Sequence, residues 1–435
     1  MKHKVLLAIC FFTSLIAEAK SVADEREIFL ESLLGRMTVA EQLGQMNMLA
    51  GQLSTEKKYW ESAKEKIRAG AAGSFLNVIG AEFTTELQKI AVEESRLGIP
   101  LLFSFDVIRG HKTIFPSPLA ESGSWDLSLA ERTAKVGAED ARSQGLHWTF
   151  APDADLARDP RWGRVMETFG EDPFLGGEFV KAKVRGFRSG GLASTMKHFV
   201  GYGGVGAGRD YQAVSISESD LFNFHMQPFL AALSEKPEAI MPAFTDMNGT
   251  PMSAHNELLR SVMRERFGFS GVFVSDFEAI QELVNHRVAD NELDAARLAL
   301  AAGVDIDMQG ASFQLLREGE RSPEELKWIR EAAKRVLGLK YDLGLFKKPL
   351  AVATSVEEKK VLLNKAHRRL AREAVQKSTI LLKNEGVLPL KKGKRTVAII
   401  GELARQPYHH LGPWRGLGED GDVVTILQAM KEGGY

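Results

Sequence analysis

The stretch GVFVSDFEA, residues 271–279, runs apolar, β-prone chain into an aspartate, Asp276, and a helical pattern opens straight after it. Val272, Phe273 and Val274 are apolar in succession rather than in alternation, which marks a strand covered on both faces, as in a parallel sheet. A carboxylate where such a strand ends has two readings. It caps the helix FEAIQELVNH (277–286), or it stands at the rim of a pocket built on strand ends.

Seven more stretches read as strands: GQMNML (44–49), GSFLNV (73–78), PLLFSF (100–105), LHWTF (146–150), ASTMK (193–197), AIMPAF (239–244) and GVDIDM (303–308). Helical patterns fill the gaps. Thr38 with Glu41, and Ser322 with Glu325, have the spacing of capping boxes, and Pro323 takes a first helical position. A helix over 127–144 starts after Asp126 and stops at Gly145, a residue suited to the left-handed conformation past a helix end. Eight strands alternating with helices predict an α/β chain with a (β/α)8 TIM-type barrel over residues 25–346. An open doubly wound sheet is the alternative. No G-x-G-x-x-G follows an early strand, which weakens its dinucleotide-binding form.

The helix from Ser322 is expected to reach about Tyr341. A charged, helical linker over 347–377 follows. TVAIIG (396–401) then reads as the first strand of a new α/β unit, and VVTILQAMKEGG (423–434) as its first helix, so that 378–435 is one βα step of an incomplete second domain.

Formal net charge is −1, with 44% hydrophobic and 26% charged residues. These are values of a globular protein without the basic stripe of a nucleic-acid binder. Residues 1–19 read as a secretory signal peptide. Lys2 and Lys4 precede a short apolar run, Val5 to Ile16, and Ala17-Glu18-Ala19 offers a cleavage site. That run is too short to span a bilayer, which takes about 20 residues. No later stretch is expected to span one. The expected location is the periplasm. The one cysteine, Cys10, falls inside the removed segment, so the mature chain has no thiol for disulfides, thiolate catalysis or a cysteine zinc site.

Polar residues gather at the predicted strand ends. Asp106 follows PLLFSF, Lys197 and His198 follow ASTM, and Asp276 follows GVFVS. After LHWTF comes APDADLARDPRWGR (151–164). In a barrel these ends converge on one mouth. Each residue also has a bland reading. Asp276 could be a cap, Asp106 a turn residue, Lys197-His198 a solvated pair and RDPRWGR a salt-bridged loop. Four such sites at one rim favour function. GYGGVGAGRD (201–210) resembles a phosphate loop but lacks G-K-[ST], so a lid is the better reading. Asp153, Asp155 and Asp159 lack the spacing of an EF-hand, and the adjacent His409 and His410 do not share a face. No metal or cofactor is called for. Asp, Arg, Lys and His side chains suit a polyhydroxylated ligand, which takes many charge-assisted hydrogen bonds. Trp125, Trp148 and Trp162 could stack on sugar rings or fill the core. A carboxylate can itself be the nucleophile, as in retaining glycosidases.

These residues carry a resemblance. VMRERFGFSGVFVSDFEA (262–279), RDPRWGR (158–164), ETFGEDP (167–173), MKHFVGYG (196–203), FDVIRG (105–110) and MNGTPMSA (247–254) resemble, in the same order, the motifs of glycoside hydrolase family 3, above all those of its bacterial periplasmic β-glucosidases. The resemblance implies that Asp276 is the catalytic nucleophile. It implies that Asp106, Arg164, Lys197 and His198 hold the hydroxyls of a terminal sugar, with Met241 and Phe244 lining the same subsite. It implies double displacement on a β-linked glycoside or oligosaccharide, with retention, and an α/β-sandwich second domain whose start is 378–435. The family's acid/base glutamate lies in a region past Tyr435, so no residue here is assigned that role, and the chain alone is expected to be impaired. One branch of the family uses a histidine in the loop after the Lys-His pair, and FVGYGGVGAGRDYQAV contains none. Glu402 stands where proline is usual. A non-catalytic sugar-binding barrel, or a pseudogene product, is the alternative.

Overall fold

The computed structural model describes residues 24–51, 56–350, 354–390 and 396–433. The predicted signal peptide lies outside them. All eight predicted strands form: β1 Asn47–Ala50, β2 Ser74–Leu76, β3 Leu102–Phe105, β4 Trp148–Thr149, β5 Thr195–Phe199, β6 Ala239–Pro242, β7 Val272–Phe273 and β8 Asp307–Met308. A helix follows each: α1 Lys57–Arg68, α2 Ala81–Lys89, α3 Leu127–Ser143, α4 Pro173–Ser189, α5 Gln227–Ala232, α6 Glu257–Arg266, α7 Glu292–Ala302 and α8 Pro323–Asp342. This is the element order of a (β/α)8 barrel.

The chain divides into two compact units, and each carries four parallel strands. The first holds residues up to Phe75, Leu87–Leu101 and Asn256–Ala351. Its strand order is β7-β8-β1-β2. Val274 bridges Ile306, and Asn47 and Met48 pair with Asp307 and Met308, all parallel. The Gly73 amide donates to the Asn47 carbonyl at 3.1 Å and so begins the step from β1 to β2. Leu30, Leu33, Leu34, Met37, Ile99, Ala333 and Leu337 form one of its apolar clusters, with α8 supplying the last two.

The second unit holds Leu76–Glu86, Leu102–His255 and the chain from Val352 onward. Its order is β3-β4-β5-β6. Ser104 pairs with Trp148, Trp148 bridges Ala193, and Thr195 pairs with Ala239. The strands are almost wholly buried because both faces are covered, polar residues included. Every residue of β5 and β6 is buried.

Local signals act as the sequence predicts. Both capping boxes form. Asp126 accepts from the Leu129 amide at the start of α3, and Gly145 follows its end at φ 86°. The linker is helical, α9 Ser355–Val361 and α10 Lys365–Ser378, and it is fastened to α3. Arg132 grips Glu373 with both terminal nitrogens, His367 meets Asp140 at 3.0 Å, and Leu370 and Ala374 pack against Leu129 and Val136.

Two elements differ from expectation. TVAIIG forms no strand, and Ile400 is 92% exposed. A strand with no neighbour to complete its hydrogen bonds is not stable by itself. The helix after Asp276 is confined to Glu282–Asn285. Turns occupy the residues before it, and Glu278 stands at φ 57°. Helix 423–434 is present as Ile426–Glu432, capped by Thr425.

Candidate active site

In the second unit the strand ends hold a connected polar cluster. Asp106, just past β3, receives the Lys197 ammonium at 2.9 Å. Lys197 comes from β5 and is 3% exposed. Its neighbour His198 is 1% exposed. Adjacent side chains on a regular strand point to opposite faces. Here the pairing register shifts between Lys197 and Phe199, so strict alternation does not hold at this point.

Arg164 makes a fork onto Glu167, at 2.9 and 3.0 Å. The same Arg164 Nη2 lies 2.9 Å from His198 Nε2. A guanidinium only donates, so Nε2 must accept, and the imidazole proton sits on Nδ1. Nδ1 faces Asp155 Oδ2 at 2.9 Å and donates to it. The His198 backbone amide donates to the same oxygen at 3.0 Å. Burial, then the nearby Arg164 and Lys197 charges, holds the His198 pKa well below its ordinary value. The ring is therefore neutral, as its contacts require.

Around this chain stand aromatic walls. Tyr202 meets the His198 ring edge-on, 5.2 Å between centroids. Its hydroxyl donates to Asp210 at 2.6 Å, and Trp162 Nε1 donates to the same carboxylate oxygen. The GYGGVGAGRD loop is thus anchored at Tyr202, which is fully buried. Met241 is buried in β6, in register with Lys197. Phe244 is half-buried and packs on Tyr211, 4.7 Å between centroids.

Trp414 completes the group. The Lys197 ammonium lies 5.3 Å from its ring centroid. Its segment is tied to the loop after β3. Lys112 reaches the Leu417 carbonyl, Glu419 and Asp422, and the Leu417 amide donates to the His111 carbonyl at 2.7 Å.

Asp276 lies in the first unit, directly beyond β7. It is half-buried. Its Oδ1 accepts from the Phe277 amide at 2.7 Å. Ser275 fixes the backbone here, since its hydroxyl accepts from the Met308 amide and donates to the Asp276 carbonyl. With the next helix starting at Glu282, six residues on, Asp276 is not that helix's cap.

Other sequence readings resolve plainly. Trp148 and Trp162 are buried, and Trp125 is 76% exposed. RDPRWGR serves both ways, for Arg161 pairs with Asp159 at the surface while Arg164 turns inward. Asp159 therefore does not join Asp153 and Asp155. Glu167, Asp155, Asp210, Tyr202 and Trp414 were not singled out as site residues. The three-residue step from Arg164 to Glu167 was the one local signal among them.

Residues 38–339 match the description "Glycosyl hydrolase family 3 N terminal domain". The chain belongs to glycosyl hydrolase family 3. It is 36% identical to a periplasmic beta-glucosidase of Salmonella typhimurium over 423 residues, covering 94% of this chain and 54% of that one. It is 35% identical to a putative beta-xylosidase of Formosa agariphila, covering 86% of this chain and 53% of the other. The structure is similar to a crystal structure of a beta-glucosidase from Listeria innocua in complex with glucose, with a TM-score of 0.86 and 34% identity over 94% of this chain and 58% of that one. The family 3 chain thus spans about half the length of the curated relatives it matches.

Proposed function

We propose that this chain carries the sugar-binding and nucleophilic parts of an exo-acting retaining β-glycosidase that releases terminal β-D-glucosyl residues. The observation that carries the reading is the linked pair of contacts Asp106–Lys197 and Arg164–His198. It sets fixed donors and acceptors beside an aromatic face, Trp414, as a ring of hydroxyls requires. Membership of family 3 and the printed names of the Salmonella and Listeria relatives support a glucoside. A periplasmic location draws support from the Salmonella relative. Among the described residues no helix is long and apolar enough to cross a membrane.

In the proposed reaction the Asp276 carboxylate attacks the anomeric carbon. The bond to the leaving oxygen breaks, and a glycosyl-aspartate ester forms. Water then attacks the same carbon, gives a proton to the general acid's conjugate base, frees the sugar with retained configuration and returns the carboxylate. Protonation of the leaving oxygen falls to a general acid, which no residue of this chain is assigned.

The test is covalent trapping of the full chain with a 2-deoxy-2-fluoro-β-glucoside carrying a dinitrophenyl group, which leaves without a proton. Peptide mass spectrometry is expected to find the adduct on Asp276. A folded chain that binds glucose and gives no adduct would leave a sugar-binding role in place of the glycosidase.

A further inference from the structure

Behind His198 lies a second carboxylate that the proposed reaction does not use. Asp153 is 1% exposed, and Asp155 is 4% exposed. Asp153 Oδ1 accepts from the Asp155 amide at 2.8 Å, and its Oδ2 lies 3.8 Å from His198 Nδ1. One ligand atom from each of Asp153, Asp155 and His198 falls within 4.8 Å of the others. Asp153 Oδ2 and Asp155 Oδ1 are both buried without a hydrogen-bond partner.

The charges around this cluster do not cancel if both carboxyls are ionised. Arg164 is neutralised by the Glu167 fork, and Lys197 by Asp106. His198 is neutral. Two negative charges then face each other in a buried place with no counter-ion of their own, which is the arrangement that makes carboxyl pairs keep a proton. Asp155 receives two donors, the His198 amide and Nδ1. Asp153 receives one. Hydrogen bonds to the charged form favour it, so the anion belongs on Asp155 and the proton on Asp153.

We propose that Asp153 is a positioning residue. Its carboxyl keeps a proton beside ionised Asp155, and the single negative charge of the pair fixes His198 as the Nδ1–H tautomer whose Nε2 receives Arg164. Burial, and next the Glu167 charge, pushes Asp153 up to about 7. Burial and Asp153 also push Asp155 upward. When Asp153 ionises, its proton goes to solvent and the ring stays neutral, but a second negative charge now faces Nδ1 and draws the Arg164 guanidinium toward the carboxylate pair. Nε2 then loses the hydrogen bond that Arg164 donates to it. The groups facing Asp153 are Asp155, Glu167, Arg164, Lys197 and His198. A cation in place of the proton fits less well. It would take the Nδ1 lone pair and put the ring proton on Nε2, against Arg164.

The role of Arg164 and His198 in holding sugar rests on the function proposed above, so the first readout needs no sugar. The ring nitrogens of ¹⁵N-histidine-labelled full chain are followed from pH 5.5 to 9, with His198→Gln assigning the His198 signals. Wild type is expected to show Nδ1 protonated and Nε2 bare at pH 5.5, with both signals moving as the pH passes about 7. Asp153→Asn, which imitates the protonated carboxyl, is expected to hold the pH 5.5 pattern throughout. Glucose affinity by calorimetry is expected to fall roughly 10-fold in wild type from pH 6 to 8.5, and not in the variant. Wild-type signals that stay still across the range would overturn the proposal, whether or not the variant folds. So would identical pH responses in the two proteins, or a stoichiometric divalent metal whose removal moves the His198 signals. A chain with the expected ring behaviour that binds no glucose at any pH would sink the glycosidase reading and leave the role of Asp153 standing.

Discussion

Arg164 Nη2 stands 2.9 Å from His198 Nε2 while the same side chain forks onto Glu167. One guanidinium thus fixes an imidazole tautomer and neutralises a buried carboxylate. Only a planar, multi-donor cation can do both. Arg164→Lys keeps the charge and loses the fork. A charge-assisted hydrogen bond is worth about 1.5–3 kcal/mol, so glucose affinity is expected to fall about 10- to 100-fold with the circular dichroism spectrum unchanged. Calorimetric titration with glucose checks this. Affinity within about twofold of wild type would mean that the site needs a positive charge at 164 and no more.

The stability of the folded chain should report the Asp153 proton. A carboxyl that ionises near pH 4 unfolded and at about 7 folded makes the folded state the proton-rich one. Its stabilising effect is complete below about pH 4 and is lost as the pH rises toward 7. A gap of that size corresponds to the order of 2–4 kcal/mol. Asp307 is also raised, to about 6, by burial, so the comparison must be made between variants. Asp153→Asn is expected to gain on wild type by that amount in urea unfolding between pH 4 and pH 7.5. Parallel curves would show that Asp153 is ionised throughout.

Much of this was legible in the sequence, for physical reasons. Parallel strands covered on both faces leave apolar runs in several places, and regular alternation with helical patterns located the others, so all eight were found, with ends shifted by a few residues. A residue near the end of such a strand is placed by topology, which is why Asp106 and Asp276, beyond β3 and β7, and Lys197 and His198, inside β5, could be named. The second layer was hidden. Asp155 acts through His198 and Asp210 in part through Trp162, each more than 40 residues away, and Asp153 looked like one of three acidic loop residues until burial separated it from Asp159. TVAIIG failed as a strand because apolar, β-branched composition reports a tendency that only neighbours can satisfy.

Trp414 gives a third prediction. Its ring lies 5.3 Å from the Lys197 ammonium and is 38% exposed. Such a contact is worth about 0.5–1 kcal/mol at a partly exposed site. Trp414→Ala is expected to weaken glucose binding about 2- to 5-fold, and Trp414→Phe about half as much on the same logarithmic scale. An alanine variant with unaltered affinity would place Trp414 outside the site.

The sharpest prediction concerns Asp276 and the leaving group. Removing a proton-donating partner typically costs about 10²–10⁴-fold when the leaving group needs one, and little when it does not. The full chain is therefore expected to release dinitrophenol from its β-glucoside at least about 100-fold faster, in kcat/KM, than it cleaves cellobiose. Asp276→Ala should abolish the fast release while circular dichroism stays unchanged, because the side chain is half-buried and lies past the end of its strand. Azide added to that variant can attack the open face of the anomeric carbon. The dinitrophenyl β-glucoside should then yield the α-glucosyl azide, the inverted product that a missing nucleophile on that face requires. Release of dinitrophenol by Asp276→Ala at the wild-type rate without azide would move the nucleophile to another residue. Cellobiose cleaved as fast as the activated glucoside would place a working general acid within these 435 residues.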